Sequence, residues 1–275
     1  MKAPSHIDLI KDIKDKLPCL FFNFSRKKCQ DNAYQLMKAD IFEINPEIRT
    51  FVRTKLENSS KEIKELESSK LLLRTLPYGI AFHHAGLIPL IKEIIEELFG
   101  KGLIKVLYTT ETFAVGINMP AKSVCFESIR KFDGVNFRFL NSKEYFQIAG
   151  RAGRRGIDKE GFVYAMIDRR DFDYNLIKKI TDVDIDPIIS QFKLSVNTVL
   201  NLIKNHEEDE INQILKNNFF TFQKYGKEYA KIKRNMFAYR FEKTKKRLIK
   251  LKYVKENNLT TKGEFSSQIY ADEIL

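Results

Sequence analysis

Tyr145-Phe-Gln-Ile-Ala-Gly-Arg-Ala-Gly-Arg-Arg-Gly156 is the stretch of this chain with the most informative pattern. Gln147, Arg151 and Arg154 occupy positions i, i+4 and i+7, so a helix through the stretch projects all three from one face. The small or apolar residues fall on another side, where they suit close packing on a sheet; they are Phe146, Ala149 and Gly153. The pattern predicts one helix that presents two guanidinium groups and an amide while its back packs against a core.

Guanidinium groups are always charged, and their fork of N–H donors matches phosphate oxygens bidentately. A rigid helix with two of them is able to reach the terminal phosphate of a nucleotide and stabilise the charge that develops as it transfers. The alternative is an exposed basic helix end that binds no ligand. Glycine costs about 1 kcal/mol inside a helix, and the glycines of this stretch therefore favour a functional reason over that alternative.

The composition fits a globular protein of about two domains, because 43% of the 275 residues are hydrophobic and 31% are charged. No apolar run approaches the roughly 18 residues that a membrane span needs. The first residues lack the apolar core of a secretory signal. Cys19, Cys29 and Cys125 show no metal-binding spacing and indicate reduced thiols of a cytosolic protein. We predict no metal site and no membrane partner.

The net charge of +12 is concentrated in one segment. Between Lys224 and Lys255 there are thirteen Lys or Arg and two Glu, a net charge of +11. A basic block of this size is an electrostatic footprint for a polyanion. The alternative, a long solvated helix whose lysines only keep it soluble, remains open at this stage.

Short apolar runs alternate with helical patterns from residue 17 to residue 180, which predicts an α/β fold with a mostly parallel sheet covered on both faces. The strands are predicted within Leu17–Phe24, Tyr78–Leu87, Ile104–Tyr108, Lys122–Phe126 and Gly161–Ile167. Ser25 is the predicted N-cap of a helix from Arg26, and Ser142 of the arginine helix. Alternation around Asp133-Gly134 predicts a hairpin.

The remaining segments are predicted to be mainly helical. The charged segment Lys38–Pro77 predicts one or two surface helices, and Pro89–Leu98 predicts an amphipathic one. Pro187 marks a boundary, which divides the chain into domains 1–184 and 185–275. Beyond it we expect helices, including one over Gln191–Ile203, until a weak strand signal near Lys252–Val254.

Several of these stretches resemble motifs of superfamily 2 helicases, most closely the Ski2/Mtr4 group of DExH-type RNA helicases. Gln147 to Arg154 is similar to the last conserved helicase motif. The other matching stretches are Phe22-Asn-Phe-Ser-Arg26, His83-His-Ala-Gly-Leu87, Thr110-Glu-Thr-Phe-Ala-Val-Gly-Ile-Asn-Met-Pro120, Arg130-Lys-Phe-Asp-Gly134 and Leu259-Thr-Thr-Lys-Gly-Glu-Phe265. The resemblance implies a second RecA-like helicase domain over 1–184 and a mainly helical winged-helix domain over 185–275.

The resemblance also implies a role for individual residues. Those expected along an RNA backbone are Ser25, Arg26, His84, Gly86, Thr110 and Gly116. Those expected at the nucleotide cleft are Gly116, Asn118, Gln147, Arg151 and Arg154. Within the cleft, Arg151 and Arg154 would contact the γ-phosphate of ATP and Gln147 would help to sense it, so these three are the predicted catalytic residues.

The sequence carries only part of a helicase motor. It contains no Gly-x-x-x-x-Gly-Lys-Ser/Thr phosphate loop and no Asp-Glu-x-His motif for Mg²⁺. We therefore expect ATP and Mg²⁺ to be bound mainly by a first RecA-like domain, and no ATP hydrolysis by this chain unaided. That domain belongs either to a partner polypeptide in a split motor or to a longer protein of which this chain is a fragment.

The implied ligand is single-stranded RNA or RNA with a 3′ overhang, and the implied location is the cytoplasm, or the nucleus of a eukaryote. Two other functions fit the residues. One is a non-enzymatic nucleic-acid-binding module, and the other is half of a related DNA repair helicase.

Overall fold

The computed structural model describes residues 5–57, 59–116, 119–169, 172–182, 187–231 and 236–269. They form two compact units, Met1–Asp186 and Pro187–Leu275, and this division of the sequence falls close to the predicted one. Among the residues that the structure describes, no helix is long and apolar enough to cross a membrane.

The first unit is built around a parallel sheet of five strands in the order β2-β3-β1-β4-β7. Its strands and those of a separate hairpin are β1 (Cys19–Phe22), β2 (Ile80–His83), β3 (Val106–Thr109), β4 (Ser123–Phe126), β5 (Arg130–Phe132), β6 (Phe137–Phe139) and β7 (Phe162–Ala165). Every predicted strand is present, and β5 and β6 pair as the predicted hairpin. The α/β fold class is confirmed.

Helices connect and cover these strands. They are α1 (His6–Asp12), α2 (Arg26–Lys38), α3 (Pro46–Leu56), α4 (Lys61–Glu65), α5 (Glu67–Thr75), α6 (Pro89–Gly100), α7 (Thr112–Gly116), α8 (Ser142–Ala149) and α9 (Tyr174–Thr181). Parallel crossovers are right-handed, so the helices of the β1–β2 connection and those of the connections towards β7 cover both faces of the sheet, and α3 of the first connection also contacts α6. All residues of β1, β2, β3 and β4 are buried, as strands covered on both faces require.

The core of the first unit is centred on β1. Phe21 and Phe22 are fully buried between the two layers of helices, and burial of one such side chain stabilises the fold by about 1.5–3 kcal/mol. His6 ties α1 to this core, because its Nδ1 lies 2.8 Å from the hydroxyl of buried Tyr108. Cys19, Cys29 and Cys125 are buried and form no disulfide.

The segment between Lys38 and Pro77 differs from its prediction. It forms three α-helices, α3, α4 and α5, instead of one or two. It is also not confined to the surface, because Ile48, Val52 and Leu72 join the core around the sheet. Its dense charges mark only the outward faces of these helices, and the apolar residues between them pack inward.

The second unit is mainly helical. It contains α10 (Val196–Asn205), α11 (Glu208–Lys216), α12 (Phe219–Tyr225), α13 (Met236–Lys250), the short strands β8 (Val254–Lys255) and β9 (Asn258–Leu259), and α14 (Thr261–Ser267). The helix predicted from Gln191 begins only at Val196, because the Ser195 hydroxyl caps it by accepting from the backbone N–H of Thr198 at 3.1 Å. The winged-helix assignment stays a prediction.

The basic block lies partly on α13. Phe237, Phe241 and Leu248 of this helix are buried in the core of the second unit. The cations Arg240, Lys243, Lys246, Arg247 and Lys250 are exposed. Residues 232–235 of the block lie outside the described residues. The helix is thus anchored by one apolar stripe and offers its charges to solvent.

Gly263 occupies a position where a side chain does not fit. A Cβ there would overlap the backbone oxygen of Tyr253, so α14 packs against the residue before β8 only if residue 263 lacks a side chain. We expect Gly263→Ala to destabilise the second unit by about 1–3 kcal/mol, because forced overpacking typically has that cost. Thermal unfolding followed by circular dichroism measures the change. Thr261→Ala, at an exposed position of the same helix, is the matched control, and equal melting temperatures of the two variants would contradict the close-contact argument.

Candidate nucleic-acid and nucleotide sites

The carboxyl ends of three neighbouring strands bring distant parts of the chain together. Phe22 pairs in register with Thr109, and Thr109 pairs with His83, so the loops after β1, β2 and β3 begin side by side. Open parallel sheets bind ligands at this edge. The predicted backbone-binding residues Ser25 and Arg26, His84 and Gly86, and Thr110 all follow these three strand ends directly.

Arg26, His84 and Gly86 converge at this edge. A Cβ added at Gly86 would lie 3.3 Å from Nδ1 of His84 and 3.4 Å from Nη1 of Arg26. Arg26 is exposed as the first residue of α2. Ser25 is the N-cap as predicted, and its hydroxyl accepts from the backbone N–H of Lys28 at 3.4 Å. The absence of a side chain at residue 86 leaves the guanidinium of Arg26 open to an anion beside the loop.

His84 supports this loop from beneath. Its ring is buried and stacks on Phe82 with centroids 5.9 Å apart. Its Nδ1 accepts from the backbone N–H of Gly86 at 3.2 Å, and its Nε2 lies 3.0 Å from the side-chain amide of Gln30. Burial, and next the positive charge of Arg26, lower the pKa of His84 to about 4. His84 is therefore neutral at physiological pH, and it shapes the loop by hydrogen bonding instead of attracting an anion by charge.

Thr110 borders a small cleft of about 180 Å³ on the same edge. Its hydroxyl lies 2.9 Å from the hydroxyl of Thr112. The cleft is lined by Phe24, Arg26, Ala85, Thr110, Glu111, Thr112, Lys131 and Phe132. Residues from the loops after β1, β2 and β3 therefore line one cleft together with residues of the β5–β6 hairpin.

The hairpin supplies two cleft residues to which the sequence analysis gave no role. Phe132 is 53% exposed, and its ring packs against that of Phe137 with centroids 5.4 Å apart. Lys131 lies 2.7 Å from a carboxylate oxygen of Glu111 and 2.9 Å from one of Glu144. The similarity of residues 130–134 to the Ski2/Mtr4 stretch marked this segment, but only the fold shows that it borders the cleft.

An ion-pair network holds the hairpin in place. Glu144 accepts two hydrogen bonds from Arg138, at 2.7 and 2.8 Å, besides its contact with Lys131. Burial acts to raise the pKa of Glu144, but Arg138 and Lys131 overcome it and hold the pKa at about 2. The hairpin, the loop after β3 and α8 are therefore joined by charges that persist at physiological pH.

The arginine stretch is not one helix, so the prediction that a single helix presents all three polar side chains is wrong. The helix α8 begins after Asn141, which with Glu144 forms a capping box, so Asn141 and not Ser142 is the N-cap. It ends at Ala149. Gly153 has φ of +87°, a left-handed conformation that no helix continues through. Gln147 lies on the helix, whereas Arg151 and Arg154 lie in the turns beyond it.

The packing face of α8 also differs from the prediction. Ile148 is buried in the core, and Tyr145 and Ala149 pack against it. The ring of Tyr145 stacks on Phe126 with centroids 5.2 Å apart. Gln147 is exposed. Ala149 of the predicted set therefore packs on the core as expected, and Tyr145 and Ile148 pack beside it.

Both arginines are held by the first unit itself. The side chain of Arg151 donates to the backbone oxygen of Ala114 in α7. Arg154 makes a bidentate pair with Asp158, with N–H···O distances of 2.7 and 2.8 Å, and its backbone N–H also donates to Asp158 at 3.0 Å. These hydrogen bonds from Arg154 lower the pKa of Asp158 to about 2. The two guanidinium groups are thus half-buried and oriented before any ligand binds.

The arginine turn lies near the opposite end of β4 from the loops that follow β1, β2 and β3. Ala121, just before β4, donates to the backbone oxygen of Arg151 at 3.0 Å and accepts from the N–H of Gly153 at 2.7 Å. The helix α7 crosses from the end of β3 towards this point, and it ends at Gly116. Asn118, the other predicted cleft residue, lies outside the described residues. The structure therefore brings Arg151 close to α7, the helix that ends at Gly116, but separates Arg151 from Arg26 and His84.

The family model of the helicase conserved C-terminal domain matches residues 14–156. The chain belongs to this family. Among its relatives are mRNA transport homolog 4 of Caenorhabditis elegans, 43% identical over 215 residues, and the Homo sapiens exosome RNA helicase MTR4, 41% identical over 230 residues. The Saccharomyces cerevisiae antiviral helicase SKI2 is 40% identical over 193 residues. The predicted resemblance to the Ski2/Mtr4 group is confirmed.

The chain matches only a part of each of these relatives. The matches cover 78%, 82% and 70% of this chain, but only 21%, 22% and 15% of the worm, human and yeast proteins. The chain thus spans about a fifth or less of the length of these relatives.

The buried, neutral His84 makes a testable contribution to stability. Its pKa is near 6.5 in the unfolded chain and about 4 in the folded one, so the unfolded chain binds more protons between these values. His84 therefore leaves the free energy of unfolding at its full value above pH 6.5. This free energy decreases as the pH falls from 6.5 towards about 4, because the unfolded chain takes up the proton first. We expect the free energy of unfolding of His84→Gln, measured with urea across this range, to depend less steeply on pH than that of the parent chain.

Two other results bear on this expectation. Thr261→Ala, at an exposed position without a titratable group, is the control and should keep the parent slope. A slope for His84→Gln as steep as that of the parent would show that His84 is not held neutral by the fold.

Proposed function

We propose that this chain is the carboxy-terminal motor half of an ATP-dependent RNA helicase of the Ski2/Mtr4 group. One observation carries the proposal. Residues from three helicase motifs, far apart in sequence, converge at one edge of the sheet, where Arg26, Gly86 and Thr110 are open to a ligand. That edge belongs to a helicase C-terminal domain whose relatives include proteins named as RNA helicases.

RNA is proposed to bind through its backbone. The guanidinium of Arg26 and the hydroxyl of Thr110 supply one cation and one neutral donor for phosphate oxygens, and Gly86 lets the strand approach the loop closely. Ser25, His84 and Gly116 complete this set by fixing the loops that carry the donors. Contacts to phosphates position a strand without reading its sequence. The exposed ring of Phe132 adds a surface on which a base of any kind can stack.

ATP is proposed to bind between this unit and a first RecA-like domain. The residues of this chain fit one wall of such a site, because Arg151 and Arg154 are both oriented by fixed partners. Arg151 and Arg154 would contact the γ-phosphate, Gln147 would sense it, and Gly116 and Asn118 would line the same cleft. Because the sequence has no phosphate loop and no acidic Mg²⁺ motif, the other wall binds the metal and most of the nucleotide.

The first RecA-like domain is proposed to lie on a partner polypeptide or elsewhere in a longer protein. Closure of the two walls on ATP and their opening after hydrolysis would move the domains along the RNA. Without that wall the chain is expected to be inactive as an ATPase. A site of action in the cytoplasm or the nucleus fits this function.

The catalytic assignment is tested in a reconstituted motor, made from this chain and a RecA-like domain with a phosphate loop. Arg154→Ala should lower kcat for RNA-stimulated ATP hydrolysis by about 100-fold or more, because it removes a pre-oriented charge at the developing phosphate. Arg155→Ala, at the exposed neighbouring arginine, should keep the parent rate. Equal kcat for Arg154→Ala and the parent would remove the arginine from the catalytic step.

The RNA assignment predicts two different signatures in the binding of a fluorescent oligouridylate. Arg26→Ala should weaken binding and reduce the slope of log K against log salt by about 0.7, the value for one phosphate contact on a single strand. Phe132→Ala should weaken binding by about 1–3 kcal/mol with the slope unchanged, because it removes a stacked base and no charge. Lys14→Ala, at an exposed lysine beyond the other end of β1, should leave both quantities unchanged.

The same measurements separate the two other functions. A preference for forked DNA over RNA of the same shape would favour the DNA repair helicase. Salt-sensitive RNA binding without stimulated ATP hydrolysis by any phosphate-loop domain would favour a non-enzymatic module. The names of the relatives, which include exosome RNA helicase MTR4, support the RNA motor over both.

A further inference from the structure

A groove of about 900 Å³ lies between α3, the turn after α5 and the carboxyl end of α2. Its size falls in the range of about 300–1,000 Å³ that is typical of ligand sites. Most of its lining residues belong to the segment between Lys38 and Pro77, for which the sequence predicts no chemistry. We name it the α3–α5 groove.

The α3–α5 groove has an apolar floor. Val52 and Leu56 of α3 and Leu73 and Leu76 of the α5 region line it. These side chains are continuous with the core beneath, since Val52, Leu56 and Leu76 are buried in it. An apolar ligand in the groove would therefore contact a surface that is already packed and ordered.

The rim of the groove is strongly basic. Arg49, Arg53, Lys64 and Arg74 line it, against the single carboxylate of Glu57. Among the described residues, no carboxylate forms an ion pair with Arg49, Arg53 or Lys64. Arg74 lies over the ring of Tyr34, with 5.3 Å between its guanidinium carbon and the ring centroid. These four cations create a positive electrostatic potential around the apolar floor, and an anionic ligand would be attracted to it.

The spacing of these residues fits a helix. Arg49, Val52, Arg53 and Leu56 follow one another at i, i+3, i+4 and i+7, so α3 presents alternating cations and apolar side chains along one face. Arg49 and Arg53 are one turn apart, with about 5–6 Å between their Cβ atoms. Glutamates one turn apart on a partner helix have the same spacing, and leucines between them would reach the floor.

The floor favours a peptide over RNA as the occupant. Single-stranded RNA uses aromatic side chains on which its bases stack. Of the residues that line the groove, only Tyr78 is aromatic, and the floor is aliphatic. We propose that the α3–α5 groove docks an acidic amphipathic helix of a partner protein.

The groove is remote from the proposed RNA edge. Met37, which lines the groove, follows Arg26 by eleven residues along α2, a distance of about 16 Å in a helix. Tyr78 precedes β2 at its amino end, whereas His84 follows β2 at its carboxyl end. A partner in the groove therefore leaves Arg26 and Thr110 accessible, and docking and RNA binding are separable.

The test is a selection of displayed random peptides of about 16 residues on the 275-residue chain. We expect enriched peptides to combine Glu or Asp with Leu, Ile or Phe at helical spacing. The double variant Arg49→Glu/Arg53→Glu should bind the enriched peptides at least about tenfold more weakly, because it reverses the charge of the rim. Both positions are exposed, so the variant should keep the parent melting temperature.

A matched variant carries the same change of charge elsewhere. Lys11→Glu/Lys14→Glu alters two exposed lysines that do not line the groove, and it should bind the peptides within about twofold of the parent. Oligouridylate binding should be the same in both double variants.

Other outcomes would overturn the proposal. Enriched peptides without acidic residues, or peptides that bind the Arg49→Glu/Arg53→Glu variant as well as the parent, would exclude the groove as an acidic-helix site. Loss of oligouridylate binding in that variant alone would assign the groove to RNA. A dimer of the parent chain that this variant dissociates, seen by sedimentation, would assign it to a second copy.

Discussion

The parallel register of β1 with its two neighbours is the constraint on which the proposed RNA edge depends. Cys19 pairs with Val106 on one side and with Ser123 on the other, so the three strands begin and end at the same level. Hydrogen bonds continue past the strand ends, because the backbone N–H of Asn23 donates to the oxygen of Thr109 at 2.8 Å. Residues that are tens of positions apart therefore begin their loops within one small area.

Such a sheet has a requirement of its own, since both of its faces must be covered by apolar residues from helices. This explains why so much of the first unit is core and why its polar chemistry is confined to loops. It also explains the buried histidines. His83 and His84 follow one another at the end of β2, and burial lowers the pKa of each. The chain places neutral rings where charged ones would be costly, and it leaves the positive charge to Arg26 at the surface.

The cations of this molecule are arranged in two different ways. Arg26 is exposed and lies beside a glycine, where it is free to adjust to a flexible polymer. Arg154 is held by Asp158 through two hydrogen bonds, and the rotamer entropy of its guanidinium is already lost before a ligand arrives. In the proposed function, the fixed charge of Arg154 suits a reacting phosphate, which needs a precisely placed partner, and the adjustable charge of Arg26 suits a moving RNA backbone.

Sequence reasoning located the strands, because each is a short apolar run bounded by polar residues or turn formers. It also located Ser25, the Asp133-Gly134 turn and the residues of the motifs. It placed Arg151 and Arg154 on the wrong element, because a spacing of i, i+4 and i+7 is compatible with a helix but does not establish one. The helix cannot continue through the left-handed Gly153, whose backbone N–H donates to the oxygen of Ala121. These two residues are thirty-two positions apart, and the local sequence carries no sign of such a contact.

Local patterns therefore decide which residues form strands, caps and turns, since these depend on neighbours in the chain. The sequence was sufficient for the α/β class and for the set of polar residues worth examining. Only the tertiary structure decides which of those residues meet. It joins Lys131 to Glu111 and Glu144, encloses the cleft with Phe132 and builds a basic groove from the helices between residues 38 and 77. These arrangements depend on strand order and helix packing, which are set by the burial of the whole core and not by any single stretch.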